Sequence, residues 1–504
     1  MQTKNADVAI VGAGFSGPIL AAKIAERGIH PRTGDRLRVV LIDGGPYYKG
    51  APRPGYGSPS RRSMIPNLED GHEWDHLWFP GIAGAARLVG GTSMHWTAMA
   101  FLPFPADYLH WQKETGVDWT QENLREAVAE IRREFNVHPF PDEVDTAGNR
   151  LFYRTARSMG YDVQRHEGAR RNCIYCGFCS DPHMCKYDAR AGTMVTYIPA
   201  AEKHGVEILP ETYVEKILIE KEGARPIARG FACTSQGSNY ELRADKVIVC
   251  CGYLNTPFLL LRSGYGPKEW RKNPITIENP NIGKHLDGHP RTPGLRAIFD
   301  EPMGDGEFAS FLGYWFIHDE RSDAEGRLLF RANFGVGTLP NRAAVHPLAP
   351  TYGWEHKKFM RENGILRTGR LSSTLSKASG RWYMDPDGKF LYGGDHRLTI
   401  RRAEEGLEVS REILKKMGVS KITPTDARVR ITPQTRGGHL VGSCRAGVDP
   451  KTSVVNPYFE SHDVDNLFIC DGSVIPRVST GNSGTPQASV TVFAASRIIE
   501  RHFS

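Results

Sequence analysis

An α/β fold is predicted, in which a Rossmann-like domain assembled from separated stretches of chain carries an inserted α+β domain built on an antiparallel sheet. Three observations predict it. A buried-strand pattern, a glycine turn and a helical pattern follow one another at the N-terminus; buried-strand patterns recur far downstream at 246–252 and 466–471; and between about 290 and 395 the texture changes to mixed polar and aromatic segments.

Residues 7–11 (Asp-Val-Ala-Ile-Val) form a short, nearly continuous apolar run, the pattern of a parallel strand covered on both faces. Gly12-Ala-Gly14-Phe15-Ser16-Gly17 follows, then an apolar helix over 19–25 and a second strand over 37–42 that ends in Asp43. In such a strand–turn–helix–strand unit, Gly12 permits the tight turn, Gly14 lets a pyrophosphate approach the backbone, and Gly17 permits close helix packing. The helix N-terminus then offers free N–H groups to the phosphate charge. Asp43 is placed to accept from a ribose hydroxyl.

Residues 45–110 are rich in Gly, Pro and Arg and show little periodicity apart from a dense motif around Gly90. Helical patterning resumes over 121–135, two short strands end near 217, and residues 246–252 close another buried strand on glycine. Phe308-Ala-Ser-Phe-Leu-Gly-Tyr-Trp-Phe316 suits an antiparallel sheet, and 488–502 reads as a final helix. We therefore expect 1–110, 195–290 and 430–504 to form the discontinuous cofactor domain, and 111–194 with 291–429 to form the substrate domain.

The length of 504 residues exceeds what one core usually serves, which agrees with two domains. The net charge of +7 is scattered with no run of like charge, which argues against a nucleic-acid partner. The N-terminus enters its first strand without a secretion signal, and no apolar stretch is long enough to span a membrane, so a cytoplasmic location is expected. Nine cysteines in a chain this long do not make a disulfide framework.

A second backbone approach to a large cofactor is expected at Asp471-Gly472-Ser-Val-Ile-Pro476, which lies between a strand and the terminal helix. An elongated FAD explains two such approaches, hundreds of residues apart, better than NAD does. Six ordered motifs make the chain similar to the glucose-methanol-choline oxidoreductases: the N-terminal glycine turn, Val89–Thr97, Val247–Gly252 with Leu259–Gly264, Asn281–His289, Gly438–Gly447 and Asp471–Pro476. The motif around Gly90 most resembles the pyranose-oxidase and glycoside 3-oxidase branch. The resemblance implies an FAD-binding domain carrying a substrate domain. It assigns to FAD, beside the residues of the first turn and Asp43, Gly90, Gly91, Thr92, Ser93, His95, Trp96, Thr97, Val214, Cys251, Gly252, Asp471, Gly472, Thr485 and Pro486. His95 is the candidate for a covalent bond to the flavin.

For catalysis the resemblance points to His439, and the chemistry agrees. Oxidising an alcohol requires a base for the hydroxyl proton while hydride leaves carbon, and neutral imidazole suits that near pH 7. His439 is expected on a loop between Gly438 and the Gly442–Arg445 turn. The family's usual partner is a His or Asn directly before a proline; here Asn482 precedes Pro486 by four residues, so Asn482 is chosen, with Gln487 as the fallback. A carboxamide there can steady a developing alkoxide without carrying charge.

Cys173, Cys176, Cys179 and Cys185 have spacing suited to an iron–sulfur or zinc site. The residues that follow continue a pattern found in relatives with and without a cluster, and a cysteine-bearing structural hairpin is the reading adopted. The expected activity is oxidation of a secondary ring hydroxyl of a sugar or glycoside, with electrons passing to O2 or a quinone. Two alternatives stand beside it: the catalytic subunit of a gluconate- or glucoside-dehydrogenase-like complex with a small companion subunit, and a non-redox hydroxynitrile-lyase-like enzyme.

Overall fold

A computed structural model describes residues 2–49, 87–94, 96–175, 185, 187–223, 225–289, 294–303, 314–318, 331–336, 352–362, 368–374, 381–394, 396–423 and 438–504. His95, Cys176 and Cys179 lie outside them.

The apolar run at the N-terminus becomes the centre of a seven-stranded sheet. Strands Glu207–Leu209, Val39–Ile42, Gln2–Val11 and Ser238–Val249 lie side by side and parallel, followed by Arg225–Ser235 and Thr212–Glu222 in antiparallel pairing. The first strand starts at Gln2, earlier than its apolar run, because Gln2 to Ala6 pair in register with Tyr240 to Ala244. Strand Ser238–Val249 forks: its first half pairs with Arg225–Ser235, and Val247 to Val249 pair in parallel with Leu467–Ile469. That fork brings three chain segments, ending at Val11, Val249 and Ile469, to one carboxyl edge. Open α/β sheets bind ligands at this edge.

Helices Gly17–Arg27, Gly484–His502, Arg125–Glu134 and Tyr197–Lys203 cover the sheet and share its core. Helix Pro105–Thr115 crosses the boundary expected at residue 110, and helix Arg125–Glu134 lies within the stretch expected in the substrate half. They and the residues flanking them nevertheless bury Trp111, Trp119, Ile131 and Phe135 in the parallel-sheet core. The indole N–H groups of Trp111 and Trp119 are satisfied there by the carbonyls of Arg477 (2.8 Å) and Pro457 (3.4 Å), so these large side chains suit that core.

The second sheet is antiparallel, in the order Lys421–Thr423, Leu295–Ile298, Thr368–Thr374, Arg331–Val336, Trp315–His318 and Val163–Arg165. Helices Ala147–Ser158 and His396–Lys416 close one face, where Phe152, Leu295, Ala297, Ile317, Leu371, Leu407 and Leu414 are buried together. On the other face Phe316 meets Phe101 edge-on at 5.1 Å. A two-stranded ribbon, Asp287–His289 against Gly438–Val441, lies next in sequence to this sheet on both sides. No helix among the described residues is long and apolar enough to cross a membrane.

The tight place is Gly12. Its φ is +100°, and a Cβ there would stand 2.3 Å from the Cys250 carbonyl oxygen. Gly12→Ala is expected to cost about 1–3 kcal/mol from strain and overlap together. Gly205→Ala, at φ +82° with nothing within 4 Å of the added carbon, is expected to cost only about 1 kcal/mol. Paired thermal denaturation curves of the two variants check the difference.

Candidate active site

The glycine turn is the floor of the site. Gly12 N–H donates to the Ile42 carbonyl at 2.8 Å, and Gly17 lies so close that a Cβ would be 2.0 Å from the Gly12 carbonyl oxygen. Gly14 faces open space, with only the Gly91 Cα at 4.0 Å from a notional Cβ. Asp43 closes the turn from the next strand: one carboxylate oxygen accepts from Ala13 N–H (2.8 Å) and the other from Gly45 N–H (2.9 Å). Asp43 thus shapes the pocket as well as lining it.

A cavity of about 410 Å³ opens above this floor. Gly12, Gly14, Phe15, Asp43, Gly91, Thr92, Trp96, Thr97, Val214, Cys251, Gly252, His439 and Asn482 all line it, as the sequence leads one to expect. Arg87, Tyr213, Arg262 and Gln487 line it too. Tyr213 packs between two cations, with the Arg87 and Arg262 guanidinium carbons 5.6 and 5.2 Å from its ring centre. The sequence does not single out these three residues: Arg87 and Tyr213 belong to no motif, and nothing within Leu259–Gly264 marks Arg262 as a lining residue.

Several residues expected to touch the cofactor hold the walls of the site together. Ser16 Oγ accepts from Gln487 Nε2 at 3.0 Å and lies 3.0 Å from Thr491 Oγ1, tying the turn to the terminal helix. Ser93 Oγ donates to the Gly90 carbonyl at 2.6 Å. Asp471 accepts from Gly252 N–H, Thr256 Oγ1 and Ser473 N–H at 2.6–2.8 Å, locking the two late segments together beneath Gly472. Thr485, in the first turn of the terminal helix beside Pro486, accepts from Phe101 N–H (3.1 Å) and donates to the Phe101 carbonyl (2.7 Å). Its hydroxyl is committed to the backbone.

His439 is on strand Gly438–Val441 rather than on a loop, and it holds φ +61°. A left-handed conformation in a non-glycine residue is uncommon and is retained where the surroundings dictate it. Across the ribbon its Nδ1 lies 3.0 Å from Nδ1 of His289, whose Nε2 donates to the Ser479 carbonyl at 2.7 Å. His289 is fully buried. It sits at the end of the Asn281–His289 motif, yet sequence gives no sign of a contact made across 150 residues. Asn482 reaches the same cavity two residues before helix Gly484–His502, and the fallback Gln487 is engaged with Ser16.

Behind the histidines lies a charged cluster. Asp287, fully buried, faces Arg381 at 3.4 Å and Arg477 at 3.5 Å, and accepts from Val478 N–H at 3.0 Å. Glu114 joins Arg381 (2.9 Å), Arg445 (3.2 Å) and Arg477 (3.5 Å). Burial raises the Asp287 carboxyl and Arg381 opposes that shift. The Cys251 thiol is pushed up by burial and then by Asp471 and Asp43, so it forms a neutral wall. Of the cysteine run, Cys173 Sγ accepts from Tyr175 N–H and Cys185 Sγ from Ala189 N–H, each at 3.4 Å.

A glycine turn at the carboxyl edge of a parallel sheet, with a histidine and a carboxamide in the wall of the same cavity, defines a nucleotide-cofactor-dependent oxidoreductase. The chain belongs to the GMC oxidoreductase family, whose N-terminal and C-terminal models match residues 81–291 and 374–494. It is 23% identical to the long-chain-alcohol oxidase FAO1 of Arabidopsis thaliana over 98% of this chain and 66% of that protein. It is also 23% identical to the fructose dehydrogenase large subunit of Gluconobacter japonicus over 99% and 98% of the two chains. In fold it is similar to pyridoxine 4-oxidase from Mesorbium loti (TM-score 0.69, 18% identity, 97% and 98% covered). Formate oxidase is similar as well (TM-score 0.72, 17% identity, 100% and 99% covered).

Members of this family are FAD-dependent oxidoreductases of alcohols and sugars, and the cavity fits that cofactor. Gly14 and Gly252 leave room that a Cβ would fill, and Arg87 and Arg262 offer positive charge to a diphosphate. The buried Trp96 Nε1–H has no hydrogen-bond partner among the described residues.

Next to the charged cluster, the His285 imidazole is pushed down to about 3 by burial, then by Arg445, Arg381 and Lys284. An unfolded histidine titrates near 6.5, so below that pH the unfolded chain binds a proton that the folded chain refuses. The contribution is therefore intact above about pH 6.5 and is lost as pH falls toward about 3, by up to about 1.4 kcal/mol per unit. His285→Asn is expected to flatten this slope relative to wild type, as read from urea midpoints at pH 7.5 and 5.5.

Proposed function

We propose that this protein oxidises a secondary ring hydroxyl of a sugar or glycoside to the keto-sugar, with His439 as the base. The observation that carries the proposal is His439 itself, held at φ +61° in the wall of the FAD cavity that also takes Asn482. Neutral imidazole is the side chain best matched to accepting a hydroxyl proton near pH 7. Asn482 positions the substrate oxygen: its amide donates to the oxygen as negative charge develops and itself stays neutral. Bound FAD supplies the hydride acceptor. Cys251, Gly252 and Trp96 wall the cavity with groups that do not compete for the proton.

The sugar class is supported by the near full-length similarity to the fructose dehydrogenase large subunit and by a 23% identical gluconate 2-dehydrogenase flavoprotein of Pantoea cypripedii, 94% of which is covered. The same similarity favours a second reading, in which a quinone or a companion subunit, rather than O2, receives the electrons. An iron–sulfur cluster at Cys173, Cys176, Cys179 and Cys185 belongs with that second reading, and iron content of the purified protein tests it. A covalent His95–flavin bond belongs with the first, and flavin that stays with acid-precipitated protein, but is released in His95→Ala, tests it.

Anaerobic titration with monosaccharides and with aryl O- and C-glycosides is expected to bleach the flavin bands. Recovery on admitting air marks an oxidase, and bleaching without recovery a dehydrogenase. With no bleaching by any sugar, the proposed substrate class falls. His439→Ala is expected to keep FAD while slowing flavin reduction by about a hundredfold or more, as measured by stopped flow.

A further inference from the structure

We propose that His289 is a positioning residue that selects the tautomer of His439, leaving Nε2 of His439 as the proton acceptor, and then steadies the charge when that proton arrives. The inference rests on His439 being the base. Its geometry, however, stands on two contacts in the structure.

The first contact fixes a hydrogen. A carbonyl oxygen only accepts, so the 2.7 Å contact from His289 Nε2 to Ser479 O requires a hydrogen on His289 Nε2. A neutral His289 then carries its lone pair on Nδ1. The second contact is 3.0 Å between the two Nδ1 atoms, and one of them must donate. His439 is therefore the donor, through Nδ1–H, and its own lone pair is on Nε2. Orientation follows from the hydrogen bond made by the other ring nitrogen, as it does for metal-bound and triad histidines.

The opposite assignment requires a doubly protonated His289, fully buried. The charged groups around the pair oppose that. Asp287, two residues away on the same strand, already faces Arg381 and Arg477. Glu114, from helix Pro105–Thr115, is shared among Arg381, Arg445 and Arg477. Asp107, from the same helix, accepts from Thr480 N–H and Oγ1 at 2.7 and 2.8 Å and from Phe104 N–H at 2.9 Å. Two residues before the strand, His285 resists protonation. Arg381, Arg445 and Arg477 already outnumber Asp287 and Glu114, so a proton added to buried His289 would add to an excess of positive charge, even with Asp287 beside it.

Proton and charge balance follow directly. The substrate hydroxyl hydrogen passes to His439 Nε2 as hydride leaves the carbon, making His439 an imidazolium. Its Nδ1–H then donates more strongly to the neutral Nδ1 of His289, which neither gains nor loses a proton. His289 does here what a carboxylate does in a catalytic triad, but without charge, so it raises the basicity of His439 less. Low basicity matches a base that must be unprotonated at the start of each turnover.

The test compares flavin reduction in wild type, His289→Leu and His289→Asn across pH by anaerobic stopped flow. The Leu variant removes the acceptor; the Asn variant restores one, its Oδ1, near the position of Nδ1. His289→Leu is expected to slow reduction about tenfold or more and to lower the apparent pKa of the base, with His289→Asn recovering most of both; tenfold is a fraction of the loss on removing a general base. Equal losses in the two variants with an unmoved pH midpoint would overturn the proposal, leaving His289 a packing residue. Should the variants fail to fold, ¹⁵N spectra of histidine-labelled wild type, with His439 located by difference from His439→Asn, still decide. A hydrogen on Nδ1 of His439 supports the proposal and one on Nε2 sinks it. That spectrum needs no substrate, so it separates failure of this inference from failure of the proposed activity.

Discussion

The close approach of Gly12 to the Cys250 carbonyl governs much of the rest. Two parallel strands end side by side there, Cys250 N–H donating to the Val11 carbonyl at 2.8 Å and Cys470 N–H to the Val249 carbonyl at 3.0 Å. Three backbone ends therefore converge on one edge with no side chain between the first two. Such convergence leaves N–H groups facing outward from a helix start, which suits a diphosphate. It also brings Gly252, which lines the cavity, against the Asp471 segment, far away in sequence. Asp471 is buried and its carboxyl is raised by burial, so the three donors it accepts from offset the cost of a charge at the joint.

A second constraint sets the catalytic side. The ribbon Asp287–His289 with Gly438–Val441 carries His289 and His439, and its register shifts between Asp287 and His289. That irregularity lets Asp287 engage the arginines while His289 meets His439. A buried carboxylate is costly alone, and Arg381, Arg477 and Val478 N–H compensate it only while all three stay in place. The cluster thereby fixes the segment 477–480, and with it the Ser479 carbonyl that orients His289. Charge well outside the reacting centre thus sets the direction of one imidazole lone pair.

The parts legible in sequence were those where the backbone itself demands a residue. Gly12, Gly14 and Gly17 each have a steric reason readable from the strand–turn–helix pattern, and Asp43 follows from the strand it ends. The buried-strand runs at 246–252 and 466–471 were equally plain, since parallel strands covered on both faces have no polar alternation. What sequence could not supply was partner choice. That the Thr485 hydroxyl holds the Phe101 backbone is not written in any motif; Arg87 and Tyr213 line the pocket from outside every motif, and nothing within Leu259–Gly264 marks Arg262 as a lining residue. Helix Arg125–Glu134 was readable as a helix, but not the sheet it packs on, because an amphipathic face does not name its partner. His439 was identifiable as a residue type, while its strand position and positive φ depend on a ribbon formed with residues 150 positions earlier.

The loop that carries Asn482 shows how the two domains share the task. Gly481 has no side chain because a Cβ would stand 2.2 Å from Phe101 Cβ, and Thr485 grips the Phe101 backbone through both its N–H and its carbonyl. Phe101 in turn packs on Phe316 and His166 at the edge of the antiparallel sheet, at 5.1 and 5.3 Å between rings. Phe101 is therefore the side chain through which that sheet touches the segment holding Asn482. His439 is thus tied to the charged cluster through His289 and the Ser479 carbonyl, and the Asn482 segment to the antiparallel sheet through Phe101.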